Sequence, residues 1–296
     1  MNPHRLDHSP FLVSPDKRIQ LGDYDRRFTA DFENKAQAKA ALSEDVSLLA
    51  KAQEVLWASG EYAVLIIFQA MDAAGKDSAI KHVMSGVNPQ GCEVRSFKAP
   101  NEEELAHHFL WRPARAVPAR GRIGIFNRSY YEEVLVVRVH PELLELQRSP
   151  RRYRGKNLMK VWEARYEEIN AFERMLTQND VCVIKFFLHV SREEQRKRFL
   201  ERLSNPQKHW KFSAADIRER THWNRYMDAY EDMLNATSTE SAPWYVVPAD
   251  KKWFTRACVA DIITSRIGEL NLKYPEPSDE QRRTLQSSRQ QLEAEA

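Results

Sequence analysis

An unbroken apolar run, Ala63 to Phe68, leads straight into the small-residue loop Ala70-Met-Asp-Ala-Ala-Gly75-Lys76, after which Asp77, Ser78, Ala79, Ile80, Val83 and Met84 recur at helical spacing. The run is short and rich in β-branched residues, which predicts a strand buried on both faces of a parallel sheet. Strand, tight loop with Gly-Lys, and helix is the layout of a phosphate-binding loop. Backbone N–H groups and a helix N-terminus face an anion there, and the lysine ammonium reaches its outer oxygens. A Gly-Lys pair alone also fits an ordinary strand-to-helix turn; the buried strand before it and the carboxylate inside it favour the phosphate reading.

Lys76 is therefore the expected phosphate contact, with Ala73, Ala74, Gly75, Asp77 and Ser78 forming the cradle around it. Against the pattern G-x-x-x-x-G-K-[ST] the loop departs twice, with Ala70 at the first glycine position and Asp77 where a hydroxyl would meet Mg²⁺. Ala70 needs a backbone angle that an L-residue can adopt, and the missing hydroxyl moves the metal elsewhere. Asp72, inside the loop, is the expected substitute.

The charge balance of +3 is mild, but its distribution is uneven. Leu105 to Tyr131 contains no acid while holding Arg112, Arg115, Arg120, Arg122 and Arg128. Leu146 to Trp162 is also acid-free and holds Arg148, Arg151, Arg152, Arg154, Lys156 and Lys160. Two such runs after a phosphate loop point to a positive surface for a long polyanion. The third basic stretch, Arg192 to Arg225, is interleaved with glutamates and reads as a solvated face when taken alone.

With 296 residues the chain is one large α/β domain with appendages or two small domains. No apolar run approaches the length of a membrane span, and the first residues lack a signal-peptide core, so the cytosol is the expected compartment. Cys92, Cys182 and Cys258 are widely spaced, which argues against zinc and against a disulfide framework; Cys182 and Cys258 read as small buried hydrophobes.

In chain order, the proline-bearing residues 1–23 read as an arm lying on the surface, and Phe28 to Trp57 as helix. Cys92 to Phe97 is a short second strand ending at Lys98, which is either a second phosphate contact or an exposed loop lysine. Asn101 to Glu104 opens a helix holding Leu105, Phe109, Leu110 and Trp111. The third strand, Ile123 to Phe126, runs into Asn127 and Arg128. Its carboxyl end is where phosphate-loop proteins place a metal-orienting residue. Here Asn127 brings no charge, so Asp72 and Glu132 must neutralise the metal. Arg128 can clamp phosphate oxygens in two places or form an ion pair with Glu132 or Glu133.

Lys156 to Gln178 reads as helix, Val181 to Val190 as the fourth strand, and Ser191 with Glu194 as a capping box opening the next helix. That helix carries Arg198 and Arg202 on one face, as a mobile lid over phosphates would; a plain surface helix is the alternative. His209, Trp210, Trp223 and Tyr226 read as packing, and no histidine is given a catalytic role. Pro243 to Pro248 is the fifth strand, Phe254 to Leu270 a closing helix, and Pro275 onward a polar tail without core-forming content.

Five blocks together, Phe68 to Asp77, Ser96 to Pro100, His108 to Arg112, Phe126 to His140 and Pro243 to Trp253, closely resemble the polyphosphate kinase 2 family, over roughly residues 20 to 272. The resemblance implies a P-loop kinase-like three-layer α/β/α fold with a five-stranded parallel sheet and a helical lid. It implies three segments: residues 1–57 as arm and helical extension, 58–272 as the phosphotransferase domain with its lid near 191–225, and 273–296 as the tail. It further implies transfer of the terminal phosphate of inorganic polyphosphate to AMP or ADP, giving ADP or ATP, reversibly and with Mg²⁺ or else Mn²⁺; a homo-oligomer is the expected assembly, its state left undecided by the sequence.

By matching motifs, Asp72, Lys76, Arg128, Arg198 and Arg202 become the catalytic set. Lys98 and Arg112 join the polyphosphate contacts, and Asp72, Asn127 and Glu132 hold the metal. Two other classes stay open. An ATP-dependent nucleotide or metabolite kinase uses the same loop without needing two acid-free basic runs, and a polyanion-binding protein without catalysis would lose the metal site. No residue stands out for the nucleoside.

Overall fold

The protein is described by a computed structural model covering residues 6–147 and 157–295. Five strands carry the frame: β1 (Ala63–Gln69), β2 (Cys92–Ser96), β3 (Ile123–Asn127), β4 (Val181–His189) and β5 (Trp244–Pro248). All pair in parallel in the order β2-β3-β1-β4-β5, so the apolar run is the central strand. Every residue of β1 is buried, as an unbroken apolar run requires.

The helices are α1 (Lys35–Ser59), α2 (Lys76–Val83), α3 (Glu102–Ala106), α4 (Trp111–Ala114), α5 (Glu132–Val139), α6 (Leu143–Leu146), α7 (Leu158–Thr177), α8 (Arg192–Ser204), α9 (Ala214–Glu219), α10 (Trp223–Thr237), α11 (Lys252–Gly268) and α12 (Asp279–Ala294). One layer is α1, α2 and α11, packed on one another; the other is α5, α7 and α10. The fold is thus the expected three-layer α/β/α arrangement around a five-stranded parallel sheet.

Several boundaries differ from the expectation. The first helix starts at Lys35, where the Asn34 side chain accepts from the N–H groups of Ala36 and Gln37; Phe28 and Phe32 precede it. The expected helix from Asn101 to Trp111 is two short pieces broken at His107. Its first piece is closed by a capping box, Asn101 with Glu104, that fixes its start but not its length. At Ser191 the capping box is one-sided. Its hydroxyl accepts from the Glu194 N–H, but the Ser191 N–H donates to Asp250 and the Glu194 carboxylate turns to Arg198.

The N-terminal arm does more than lie on the surface. Leu12 bridges Tyr245 antiparallel, the Val13 N–H donates to the Trp244 carbonyl and the Val246 N–H to that of Phe11. This covers the open edge of β5 and buries Phe11 and Val13. Residues 273–295 bury nothing, as expected, yet α12 is regular helix, started by a Ser278–Gln281 capping box. Cys258 is buried and Cys182 half-buried, and all three thiols are free. Much of the second basic run, Arg148 to Lys156, lies outside the described residues.

Candidate active site

The loop between β1 and α2 sits at the carboxyl ends of the strands, where open α/β sheets bind ligands. Its left-handed turns fall at Ala73 (φ 60°) and Gly75 (φ 117°), not at Ala70. Alanine at the first glycine position is therefore accommodated without strain; Gly75 uses the freedom that glycine has, and Ala73 is held in the left-handed region by the loop around it. The Lys76 ammonium is buried and donates to the Ala70 carbonyl at 2.8 Å, closing the loop on itself. Burial pushes its pKa down to about 8, with the neighbouring Arg128 guanidinium adding to the shift and Asp72, Glu132 and Asp77 opposing it.

Arg128 follows β3 in a left-handed conformation (φ 63°), its N–H held by the Phe68 carbonyl at 3.1 Å. Its guanidinium meets Asp72 at 2.5 Å and Glu132 at 3.7 Å, so the phosphate-clamp and ion-pair readings of this residue describe one cluster. Glu132 raises the Arg128 pKa most, while burial raises that of Glu132 against the pull of Arg128 and Lys76. Asn127 donates its side-chain N–H to Asp77 at 2.8 Å. A carboxylate only accepts, so the amide oxygen of Asn127 faces away from Asp77.

A cavity of about 690 Å³ opens over this cluster. One wall is the loop from Asp72 to Ser78 with Asn127, Arg128 and Lys98; the other is the segment after β4, with Arg202, Lys208, Trp210, Lys211 and Asp216. Lys98 thus borders the phosphate loop. Arg112 does not: it pairs with Glu104 at 3.1 Å and donates to the Lys98 carbonyl at 2.8 Å, supporting Lys98 from behind.

Arg198 and Arg202 share α8 but have different surroundings. Arg198 is 4% exposed. Its guanidinium donates to the carbonyls of Ala73, Ala74, Ala249 and Asp250 and to the Glu194 carboxylate, spending its N–H groups on the protein. Gln195 donates to the Asp72 carbonyl at 2.9 Å, so α8 buttresses the loop. Arg202 lines the cavity and lies 3.6 Å from Asp216.

Sequence reasoning missed Lys208, Lys211 and Lys252 on the cavity wall and misplaced Trp210. Trp210 is 78% exposed, with the Lys211 ammonium over its ring at 4.8 Å; Trp223 and Tyr226 are packed as expected. The signal that could have found Trp210 is its setting, an aromatic amid Lys208 and Lys211 in a polar connection with no apolar periodicity.

The donors here are hard oxygens, suited to Mg²⁺, though among the described residues no three acidic, His or Cys side chains converge as a metal cage. Mg²⁺ needs no such cage, since one or two carboxylates plus substrate phosphates suffice.

The family model described as Polyphosphate kinase 2 matches residues 32–275. The chain belongs to the polyphosphate kinase 2 family. It is 50% identical over 289 residues to a Rhodopseudomonas palustris protein named ADP-polyphosphate phosphotransferase, covering 97% of this chain and 99% of that one. It is 46% identical over 270 residues to the AMP/ADP-polyphosphate phosphotransferase of Meiothermus ruber, covering 90% and 95%. The crystal structure of polyphosphate kinase 2 from Arthrobacter aurescens TC1 superposes with a TM-score of 0.82 at 39% identity, covering 94% of this chain and 98% of that one. Within the polyphosphate kinase 2 family the fold and the reaction class of this chain therefore agree with the geometry of its loop.

Proposed function

We infer that this chain transfers the terminal phosphate of inorganic polyphosphate to AMP or ADP, forming ADP or ATP. The observation that carries this is the cavity with a phosphate loop on one wall and the cations Arg202, Lys208 and Lys211 on the other. It suits a donor that is all phosphate.

A phosphate oxygen of the nucleotide attacks the terminal phosphorus of the chain in line. One P–O bond forms, the bridging P–O bond breaks, and the chain shortened by one phosphate leaves as an anion. Nucleophile and leaving group are both anions, so no general base is required. Lys76 and Arg128 spread the developing charge, and Lys98 and Arg202 hold flanking phosphates. Asp72, Glu132 and the amide oxygen of Asn127 would hold Mg²⁺, which when bound neutralises phosphate charge.

With Arg198 fixed beneath the loop and Arg220 donating to the Arg192 carbonyl and to Gln195, both ends of the lid segment are tethered. The moving part is then the stretch 205–218, ahead of Glu219, which His140 and Tyr226 hold in place. Trp210 on that part offers the nucleoside a stacking face. Trp210→Ala is expected to raise the KM for AMP and ADP about tenfold or more, the worth of one stacked base, with the donor KM little changed. An unchanged nucleotide KM in steady-state assays would remove Trp210 from the site.

Among the described residues no helix is long and apolar enough to cross a membrane. This reading places the protein in the cytosol with its nucleotides and excludes nucleic acid as a substrate. The assembly in this reading is a homo-oligomer joined at the edge of β2, which pairs with no further strand among the described residues; antiparallel pairing of two copies about Val94 would set Glu93 of each opposite Arg95 of the other. Light scattering on Val94→Pro should then give a monomer, and an unchanged mass would discard this interface.

Product analysis decides the main reading: AMP and ADP supplied separately with long-chain polyphosphate and Mg²⁺ should yield ADP and ATP. Phosphorylation with ATP as donor but none with polyphosphate would establish the ATP-dependent alternative.

A further inference from the structure

Between Arg128 and Glu132, two members of the cluster at the loop, the chain buries Tyr130 and Tyr131 almost completely. Both phenol O–H groups donate to one oxygen of Glu173, at 2.7 and 2.6 Å. The other Glu173 oxygen accepts from the Lys185 ammonium at 2.6 Å, which also donates to the Thr237 carbonyl at 2.7 Å and the Tyr131 hydroxyl at 3.1 Å. Glu173 lies on α7 and Lys185 on β4, so the network ties the segment after β3 to two other elements.

An ion pair taken wholly out of water returns little stability, because desolvation of both charges offsets their attraction. What a satisfied buried network does supply is a single geometry. That matters here because Arg128 stands in a left-handed conformation that a non-glycine residue holds only when its surroundings enforce it. The backbone on its C-terminal side is where both tyrosines are pinned.

We propose that the Glu173–Lys185 pair, acting through the hydroxyls of Tyr130 and Tyr131, is a positioning device that sets Arg128 for phosphoryl transfer. This rests on the reading of Arg128 as a contact of the transferred phosphate. The network touches no substrate; it acts through Arg128.

The test is a double-mutant cycle on kcat with ADP and polyphosphate, using Tyr131→Phe, Arg128→Ala and the pair together. Tyr131→Phe is expected to lower kcat roughly tenfold, since small misplacements of a clamp are costly, and to leave the nucleotide KM within about twofold. In the Arg128→Ala background the same substitution should cost less than about twofold, because its target is gone. Equal losses in both backgrounds would overturn the proposal, as would no loss in Tyr131→Phe. A loss that follows a lowered Tm and disappears on cooling would overturn it too. If Tyr131→Phe does not fold, Tyr130→Phe, which removes the companion hydrogen bond to the same oxygen, carries the cycle. Wild-type kcat in Arg128→Ala would overturn both this proposal and the reading of Arg128, and is told apart because it appears in that single variant.

Discussion

Lys76→Met is expected to lower kcat with polyphosphate by about 10²–10³-fold, the usual loss when one preorganised charge-stabilising donor is removed. Its stability should change little. A lysine whose folded pKa is depressed to about 8 carries a penalty for being charged, fully present below that pH and fading as pH rises toward the ordinary lysine range. Methionine removes the penalty but leaves the buried Ala70 carbonyl without its donor, so Tm near neutrality should change little, and a melt beside the assay separates lost activity from unfolding. The same shift predicts a pH profile. In the free protein the ammonium is lost as pH rises through about 8, so kcat/KM for the donor should fall with a midpoint there. Bound phosphates favour the charged form and return the proton, so kcat should hold to higher pH. Lys76→Arg, whose guanidinium does not titrate, should abolish the alkaline fall at reduced activity. A kcat/KM that stays flat well above pH 8 in the unmodified protein would show that the ammonium is not what the donor needs.

The parts of this site that could be read in the sequence are those determined locally. Strand, loop and helix from Ala63 to Val83 follow from an apolar run, a glycine and a change of period, all within one stretch. Asp72 and Arg128 were legible because each sits beside a strand end, and their ion pair follows once β1 and β3 are neighbours. Arg198 was not legible. Its spacing from Arg202 describes only a shared helical face, whereas its fate depends on carbonyls at Ala73, Ala74, Ala249 and Asp250 that gather only in the folded chain. The arm was misread for a similar reason: three prolines describe a chain without helix, but not that Phe11 and Val13 would close the edge of β5. The C-terminal helix could have been found, since Ser278 followed three residues later by Gln281 is a helix start regardless of any core.

Arg198 and Arg202 give the sharpest separation, because four residues of one helix set them on different tasks. Arg198→Met leaves the buried carbonyls of Ala74 and Ala249, in the loop and in the turn before α11, together with the half-buried Glu194 carboxylate, without their donor. Breaking a buried charged contact by removing one partner costs roughly 3–5 kcal/mol, so a large fall in Tm is expected, with activity lost as the loop loosens. Arg198→Lys should rescue little, since one ammonium cannot span carbonyls on two segments as a planar fork does. Arg202→Met, which removes a partly exposed pairing with Asp216 and an exposed donation to the Lys211 carbonyl, should cost about 0–1 kcal/mol in stability while raising the donor KM. Thermal melts and steady-state kinetics on the three variants separate the roles. Should Arg198→Met melt like the unmodified protein and still lose kcat, Arg198 would be meeting phosphate from the lid, and the buttress would have to be given up.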